Sequence, residues 1–157
     1  MTKSPPDITA LEIADWFLVA AKSKGRTLRP MKLQKLVYFA YGWYYYYYDA
    51  SLFAEKFYAW PSGPVVEELH CKYESFRGHP IRVENLSVCD FDENVTGILE
   101  ITWKLFSKYS DLELRVETHR PNGPWHTVYD RDFQNVEIPP ELIWGYFKAV
   151  GRELAHA

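Results

Sequence analysis

The sequence predicts a mainly α-helical protein, a compact single-domain bundle of about five helices with at most a small β-hairpin. Apolar residues recur at i, i+3, i+4 and i+7 along several segments, the pattern of helices that bury one face. The connections between these segments are short and contain Pro or Gly, which favours a packed helical bundle. A chain of 157 residues is also long enough to bury a substantial core as one domain.

The first helix is predicted to begin after Thr9 and to end near Gly25. Thr9 and Glu12 have the spacing of a capping box, in which each satisfies a backbone N–H of the other. Residues 1–7 are polar and contain two prolines, so they are expected to form a short flexible lead. The folded domain is therefore predicted over residues 8–157.

The second helix is predicted from Pro30, a residue favoured at the first helical position, through Tyr48. Lys32 and Lys35 are expected to face away from its apolar stripe, and beyond Lys35 aromatic residues surround the helix. A helix that is apolar on all sides is either central in the core or covered by a partner, and the sequence leaves both open. Propensity alone would also allow a strand over Tyr44–Tyr48, but continuity with the preceding stripe favours helix.

The next segment is expected to turn and then form a third helix. Phe57–Trp60 is too short for a helix and is expected to be extended, and Pro61-Ser62-Gly63 predicts a turn. Pro64 is expected to open the third helix. Glu67 and Glu68 would then lie in its first turn, where the helix dipole favours acidic side chains.

Three further helices are predicted in the second half of the chain, with loops between them. Residues 81–93 are expected to form a small hairpin or an irregular loop, followed by a helix from about Asn94 to Tyr109. The segment after Ser110 alternates like a strand, but Ser110 and Glu113 form a capping-box pattern that favours a short helix. Residues 118–125 predict a loop, and the last helix is expected to begin near Pro139-Pro140.

Composition disfavours several classes of function. The formal net charge of -3 disfavours direct nucleic-acid binding, which relies on basic residues. No run approaches the roughly 20 apolar residues of a membrane span, and the N-terminus lacks an apolar signal region, so a soluble cytoplasmic protein is expected. Cys71 and Cys89 lack the spacing of a disulfide framework or zinc site, and no metal or cofactor is expected.

The sequence contains no usual catalytic constellation, so an enzyme is not expected. His70 and Cys71 are adjacent on a predicted helix and point about 100° apart, which prevents them from acting as a base and nucleophile together. Aromatic residues make up 17% of the chain, and Tyr and Trp suit half-buried positions and interfaces. Trp60 and Trp125 each lie in a rigid Pro/Gly turn and are either binding anchors or plugs over the core, with the plug interpretation favoured.

An ordered set of short motifs resembles the SocA-like, phage-associated (GepA-type) family, whose domain is also called the Panacea antitoxin domain. The resemblance spans about residues 11–150 and departs from the family pattern at Ala54, at Ser62 and in the tyrosine run, which bears on partner specificity. The matching motifs are Ala14-Asp15-Trp16-Phe17-Leu18, Lys32-Leu33-Gln34-Lys35-Leu36-Val37-Tyr38, Gly42-Trp43-Tyr44, Ala59-Trp60, Gly63-Pro64-Val65-Val66, Thr118-His119 and Gly123-Pro124-Trp125.

This resemblance implies an antitoxin of a bacterial or phage toxin–antitoxin pair, which neutralises a cognate protein toxin by direct binding. The alternative that it implies is a proteolytic adaptor that delivers the toxin to a ClpXP-type protease. A DNA-binding autorepressor is disfavoured by the acidic charge balance. The candidate partner-binding residues come from the aromatic helix, the rigid turn and the Pro/Gly-rich loop: Tyr38, Trp43, Tyr46, Trp60, Pro61, Gly63, Pro64, Glu67, Glu68 and Trp125.

Overall fold

The computed structural model describes residues 2–86, 88–133 and 135–155 and confirms a mainly helical fold with a small sheet. Within these ranges there are seven helices, more than the expected five or so. The helices are α1 (Ala10–Ser23), α2 (Pro30–Tyr48), α3 (Glu67–Tyr73), α4 (Glu93–Phe106), α5 (Asp111–Thr118), α6 (Pro124–Val128) and α7 (Pro140–Ala155). The strands β1 (Phe57–Trp60), β2 (Gly63–Val66) and β3 (Val136–Ile138) form an antiparallel sheet in the order β2-β1-β3.

Helix α2 is the centre of the fold. Helices α1, α3, α4, α5 and α7 and strand β2 all pack against it. Its side chains are buried from Lys32 through Tyr41, and Tyr44 is buried one turn later. Of the two alternatives for this all-apolar helix, the central position in the core is therefore correct over most of its length. Its exposed residues are Met31 in the first turn and Tyr47 and Tyr48 at the end.

The expected outward orientation of Lys32 and Lys35 is wrong, because both side chains are buried. The Lys32 ammonium donates to the carbonyls of Ser107 (2.6 Å) and Tyr109 (2.7 Å), in the connection between α4 and α5. Lys35 donates to the Ser62 carbonyl at 3.0 Å, in the β1–β2 turn. The lysine side of α2 is thus covered as well, and backbone oxygens supply the partners that a buried ammonium group requires.

Pro64 does not open a helix, because Gly63–Val66 forms β2 and α3 begins only at Glu67. The strand pairs with β1 from Phe57↔Val66 to Trp60↔Gly63. On its outer edge the Gln34 side chain accepts from the Val66 N–H (3.0 Å) and donates to the Val66 carbonyl (2.9 Å). Gln34 thereby satisfies the backbone groups that a further strand would otherwise pair.

Two other elements differ from the expectation. Strand β3 pairs with β1 through Phe57↔Ile138 and was not predicted. Helix α6 begins at Pro124, within the segment predicted as loop. Residues 81–92 are irregular in their described part, which excludes Ser87, and the hairpin alternative there is not observed.

The predicted helix starts are confirmed where a capping residue marked them. Thr9 and Glu12 form the capping box of α1, and Ser110 and Glu113 form that of α5. The domain boundary at residue 8 stays a prediction, although the Lys3 N–H bonds to the Asp90 carbonyl at 2.6 Å. None of the described helices has the length and hydropathy needed to cross a membrane.

Candidate partner-binding surface

The turn between β1 and β2 is held by side chains from three different helices. The Trp60 carbonyl accepts a hydrogen bond from the Trp125 indole at 2.6 Å, and the Pro61 carbonyl accepts a longer one from Arg115 at 3.4 Å. The Ser62 carbonyl accepts from the Lys35 ammonium at 3.0 Å. Because α6, α5 and α2 each supply one donor, three successive carbonyls of the turn are hydrogen-bonded to helices. We call this arrangement the turn clamp.

Gly63 closes the turn in a conformation that other residues rarely adopt. Its φ angle is +126°, in the region where a side chain is strained. A Cβ at this position would lie 3.1 Å from Thr118 Oγ1 and 3.4 Å from His119 Nε2, tighter than most such contacts. The absent side chain therefore allows the turn to lie directly against the end of α5.

A stack of three aromatic rings lies beside the turn. The His119 and Trp125 rings are 3.7 Å apart at 16°, and the Trp125 and Tyr129 rings are 4.4 Å apart at 15°. Trp125 is buried, which agrees with the plug interpretation of its sequence. Through its hydrogen bond to the Trp60 carbonyl and its stacking on Tyr129, Trp125 fixes both Trp60 and Tyr129 in place.

Trp60 and Tyr129 form part of the wall of an open cleft of about 480 Å³, which we call the hairpin cleft. The Trp60 indole donates to Asn135 Oδ1 at 2.9 Å, and its ring meets His70 edge-on at 4.7 Å. Phe133 is 66% exposed at the cleft, although it is a large apolar residue. The residues that line the cleft are Ala59, Trp60, Pro61, Glu67, Tyr129, Asp130, Arg131, Phe133 and Asn135.

The charges differ between the cleft and the clamp beneath it. Glu67, Asp130 and Arg131 line the cleft, so its formal charge is negative. In the clamp, burial lowers the pKa of Lys35 to about 8, with Arg115 acting in the same direction and Asp111 opposing both. Burial also lowers the pKa of His119, although the Ser62 backbone opposes this shift. The cleft thus carries a net negative formal charge, and the buried Lys35 lies behind its turn.

The structure divides the candidate residues that the sequence singled out. Trp60, Pro61 and Glu67 come together at the hairpin cleft, and Glu68 is exposed on the adjacent first turn of α3. Two other members of the turn region, Gly63 and Pro64, are buried together with Trp125 behind the cleft. These three residues support the surface but do not form it.

The aromatic candidates on α2 lie elsewhere. Tyr38 is 2% exposed in the core, where it contacts the rings of Phe57 and Phe147, so its expected role as an exposed contact is corrected. Trp43 and Tyr46 are half-buried near the C-terminal end of α2, with their ring centroids 5.5 Å apart. Trp43 lies eight positions after Lys35, about 12 Å further along the helix axis, and Lys35 is the residue of α2 that donates to the turn.

Trp43 borders a second hollow of about 940 Å³, which we call the helix groove. The groove follows α7, with Tyr146 and Leu154 among its lining residues, and reaches Phe106 at the end of α4. Pro124 and Thr127 of α6 also line it, whereas Tyr129, just after α6, lines the hairpin cleft. Among the residues that the structure describes, the two hollows share no lining residue.

Sequence reasoning did not identify Tyr129, Phe133, Asn135 or Arg115. Phe133 carried one usable signal, since it is a lone aromatic residue in the polar segment Asp130–Asn135. Its position in the cleft depends on β3, which the sequence did not predict. Arg115 lies on an amphipathic helix and has no sequence feature that distinguishes it from an ordinary solvated residue.

Over the part of the chain that the structure describes, no three His, Cys, Asp or Glu side chains form a group that could hold a metal ion. Comparison with protein families gives one finding: the family model "Antitoxin SocA-like, Panacea domain" matches residues 33–126. This match covers more than half of the chain and contains Lys35, the β1–β2 turn, Arg115 and Trp125. Neither the curated proteins nor the solved structures include a match.

Proposed function

The chain belongs to the SocA-like, Panacea-domain antitoxin family, and on this premise we propose that it neutralises a cognate protein toxin by binding it directly at the hairpin cleft. No catalytic step is part of the proposal, because binding alone blocks a toxin whose working surface is covered. The toxin would be the product of a neighbouring gene, as the family's role in toxin–antitoxin pairs implies.

The observation that carries the location is the combination of exposed aromatic surface with a rigid frame. Trp60 and Phe133 present apolar area at the cleft, and the turn that carries Trp60 is fixed by the turn clamp. A contact residue that is held in place loses little conformational entropy on binding, so more of its interaction energy remains as affinity. Tryptophan and other large aromatic residues are enriched among the residues that dominate interface energies.

The chemistry of the cleft also indicates the kind of toxin surface that fits it. A cavity of about 480 Å³ lined in part by Trp60, Tyr129 and Phe133 accommodates one or two protruding apolar side chains. Glu67 and Asp130 outnumber Arg131 among the lining charges, so basic residues around the protruding group would be favoured. We therefore propose a toxin surface with an apolar protrusion flanked by Lys or Arg.

The proposal is tested by co-expressing the protein with the product of the neighbouring gene and measuring growth rescue and complex formation. Phe133→Ser removes an exposed contact with little effect on the fold, and Leu112→Ser is the matched control. Leu112 is 70% exposed on α5 and Phe133 is 66% exposed, but Leu112 does not line the cleft. We expect Phe133→Ser to weaken toxin binding by about 10-fold or more and Leu112→Ser to leave it unchanged.

Trp60→Ala should have a larger effect than Phe133→Ser, since Trp60 belongs to both the turn and the cleft wall. Circular dichroism should show whether each variant retains the helical content of the parent. Folded Phe133→Ser and Trp60→Ala variants that bind the toxin as tightly as the parent would disprove the cleft as the docking site. A harmless neighbouring gene product without complex formation would contradict the antitoxin proposal itself.

The adaptor alternative requires a second docking surface, and the helix groove is the feature that favours it. This groove shares none of its described lining residues with the hairpin cleft, so a toxin and a protease could be bound at once. Leu154, which is 65% exposed at the groove, provides the test. If the protein is an adaptor, Leu154→Glu should lengthen the lifetime of the toxin in cells without weakening toxin binding. An equally short toxin lifetime in cells with and without the ClpXP-type protease would contradict this alternative.

A further inference from the structure

We propose that Lys35 is a positioning residue for the toxin-binding surface, whose buried amine holds the β1–β2 turn in the shape that presents Trp60 and Pro61. This inference rests on the proposed function of the hairpin cleft. It assigns a role to a side chain that has no direct access to the cleft, since Lys35 is 1% exposed and does not line it.

The hydrogen bonding of Lys35 is directed entirely at the turn. In the described part of the chain, its ammonium group has one hydrogen-bond acceptor, the Ser62 carbonyl at 3.0 Å. A buried lysine amine with a single carbonyl partner is costly, because most of its hydration is not replaced. If packing were the only role of this side chain, an apolar residue of similar length would fulfil it at lower cost. The buried position of the amine is therefore explained by its hydrogen bond to the β1–β2 turn.

The charges around Lys35 belong to the same clamp. Arg115 of α5, which donates to the neighbouring Pro61 carbonyl, lowers the pKa of Lys35, and Asp111 of α5 raises it. His119 follows α5 and stacks on Trp125, and its own pKa is lowered in part by the charge of Lys35. Lys32 lies on the same helix but directs its amine to Ser107 and Tyr109. Of these groups, Arg115 also donates to the turn itself.

Two features of the turn explain why one hydrogen bond has a large effect on its shape. Gly63 has a φ angle of +126°, a conformation open to few residues, and Pro61 and Pro64 limit the other available conformations. The Trp125 bond fixes Trp60, at the start of the turn, and the Lys35 bond fixes Ser62, near its end. Loss of the Lys35 bond would leave the second half of the turn without its donor from α2.

Lys35→Met tests the inference, with Lys32→Met as the matched control. Both lysines are buried on α2, and both donate to backbone carbonyls, but only Lys35 contacts the turn. We expect Lys35→Met to remain folded, to increase amide hydrogen exchange at Ser62 and Gly63 by about 10-fold or more, and to weaken toxin binding to a similar extent. Lys32→Met should change both quantities by less than about twofold.

A measurement on the unmodified protein covers the case in which Lys35→Met fails to fold. The indole N–H of Trp60 donates to Asn135 and gives its own NMR resonance, which reports the geometry at the start of the turn. As the pH rises from about 6.5 to 9.5, we expect this resonance to shift with a midpoint near 8, where Lys35 loses its proton. A neutral amine is a weaker hydrogen-bond donor, so the turn responds to that loss. If Lys35 loses its proton in this interval and the resonance does not shift, the inference is overturned.

The outcomes separate this inference from the proposed function. If Lys35→Met leaves the exchange of Ser62 and Gly63 unchanged, Lys35 does not hold the turn. If the turn loosens and toxin binding stays at the parental level, Lys35 is structural only and the inference is wrong. If Phe133→Ser also binds like the parent, the cleft is not the docking site, and the exchange data still decide whether Lys35 holds the turn.

Discussion

At the scale of single residues, the turn depends on Gly63. Its φ angle of +126° strains any residue with a side chain, and an added Cβ would press on Thr118 and His119. We expect Gly63→Ala to lower the free energy of unfolding by about 1–3 kcal/mol, through backbone strain and displacement of the turn. Urea denaturation followed by circular dichroism measures the change.

Gly78→Ala is the control for this prediction. Gly78 also lies in a turn, but a Cβ there would meet nothing within 4 Å. Its substitution is expected to change the free energy of unfolding by less than about 0.5 kcal/mol. Equal effects of the two substitutions would show that the strained turn does not limit stability.

The stability of the protein should also depend on pH through Lys35. Burial lowers its pKa from the ordinary value of 10.5 to about 8 in the folded state. Between about pH 8 and pH 10.5 the unfolded chain therefore binds more protons at this residue, so the free energy of unfolding rises with pH. Below pH 8 the folded protein bears the full cost of the buried charge. Relative to Lys35→Met, the parent should gain up to about 3 kcal/mol over this interval.

Urea denaturation of both proteins at several pH values measures this gain as a difference, in which the titration of the other residues cancels. A difference that stays constant from about pH 7 to pH 10 would show that Lys35 titrates at its ordinary pKa, contrary to the prediction. Nothing in the sequence pattern indicates that the pKa of Lys35 is lowered. Lys35 follows the polar pattern of an exposed helix face, and only the turn packed over α2 buries it.

At the scale of helices and strands, α2 and α7 approach each other closely through glycine. An added Cβ at Gly42 would overlap the ring of Phe147, which is fully packed in the core and also contacts Tyr38. We expect Gly42→Ala to lower the free energy of unfolding by about 1–3 kcal/mol or more, because the added Cβ overlaps the ring and must displace it from its packed position. Thermal or urea denaturation measures the loss.

Gly145→Ala in α7 should have the opposite effect. An added Cβ there meets nothing within 4 Å, and alanine favours helix over glycine by about 1 kcal/mol. Comparing Gly42→Ala with Gly145→Ala therefore separates the effect of helix propensity from that of packing between α2 and α7. If Gly42→Ala were as stable as the parent, the close approach of α2 and α7 would be contradicted.

The elements that the sequence predicted correctly are those with local signals. Helices α1 and α5 carry capping boxes, and α2 begins at a proline followed by a long apolar stripe. In contrast, Pro64 suits the first turn of a helix as well as a strand edge, and the choice depends on pairing with β1 and on Gln34. Strand β3 has only three residues, and its partner lies about eighty residues earlier in the chain. Non-local pairing of this kind leaves little trace in the sequence.

The candidate surface shows the same division. Trp60, Pro61 and Glu67 were identified because a rigid turn before an acidic helix start is visible in the sequence, and they do meet at one cleft. Tyr38 and Trp125 are also large aromatic residues with a polar group, as surface anchors often are, but neighbouring elements bury them. Burial of an aromatic residue is decided by what packs over it, so the sequence could not distinguish the two groups.

At the scale of the whole molecule, the central position of α2 connects the proposed docking surface to the core. Lys35 in its first half holds the turn beside the hairpin cleft, whereas Trp43 in its second half borders the helix groove. The net charge of -3 and the acidic lining of the cleft both favour a basic partner. A shift of α2 would therefore move both a donor to the turn beside the hairpin cleft and a lining residue of the helix groove.

This arrangement predicts that the protein unfolds in a single cooperative transition. Helices α1, α3, α4, α5 and α7 and strand β2 all contact α2, so no subset of elements retains a core after α2 is lost. Fluorescence and far-ultraviolet circular dichroism should therefore give transition midpoints within about 2 °C of each other. Fluorescence samples the whole fold, because tryptophans lie on six elements: Trp16, Trp43, Trp60, Trp103, Trp125 and Trp144. A fluorescence transition well below the circular dichroism midpoint would contradict this prediction. If that early transition were absent in Trp60→Phe, the hairpin of β1 and β2 would melt separately, contrary to its attachment through the turn clamp.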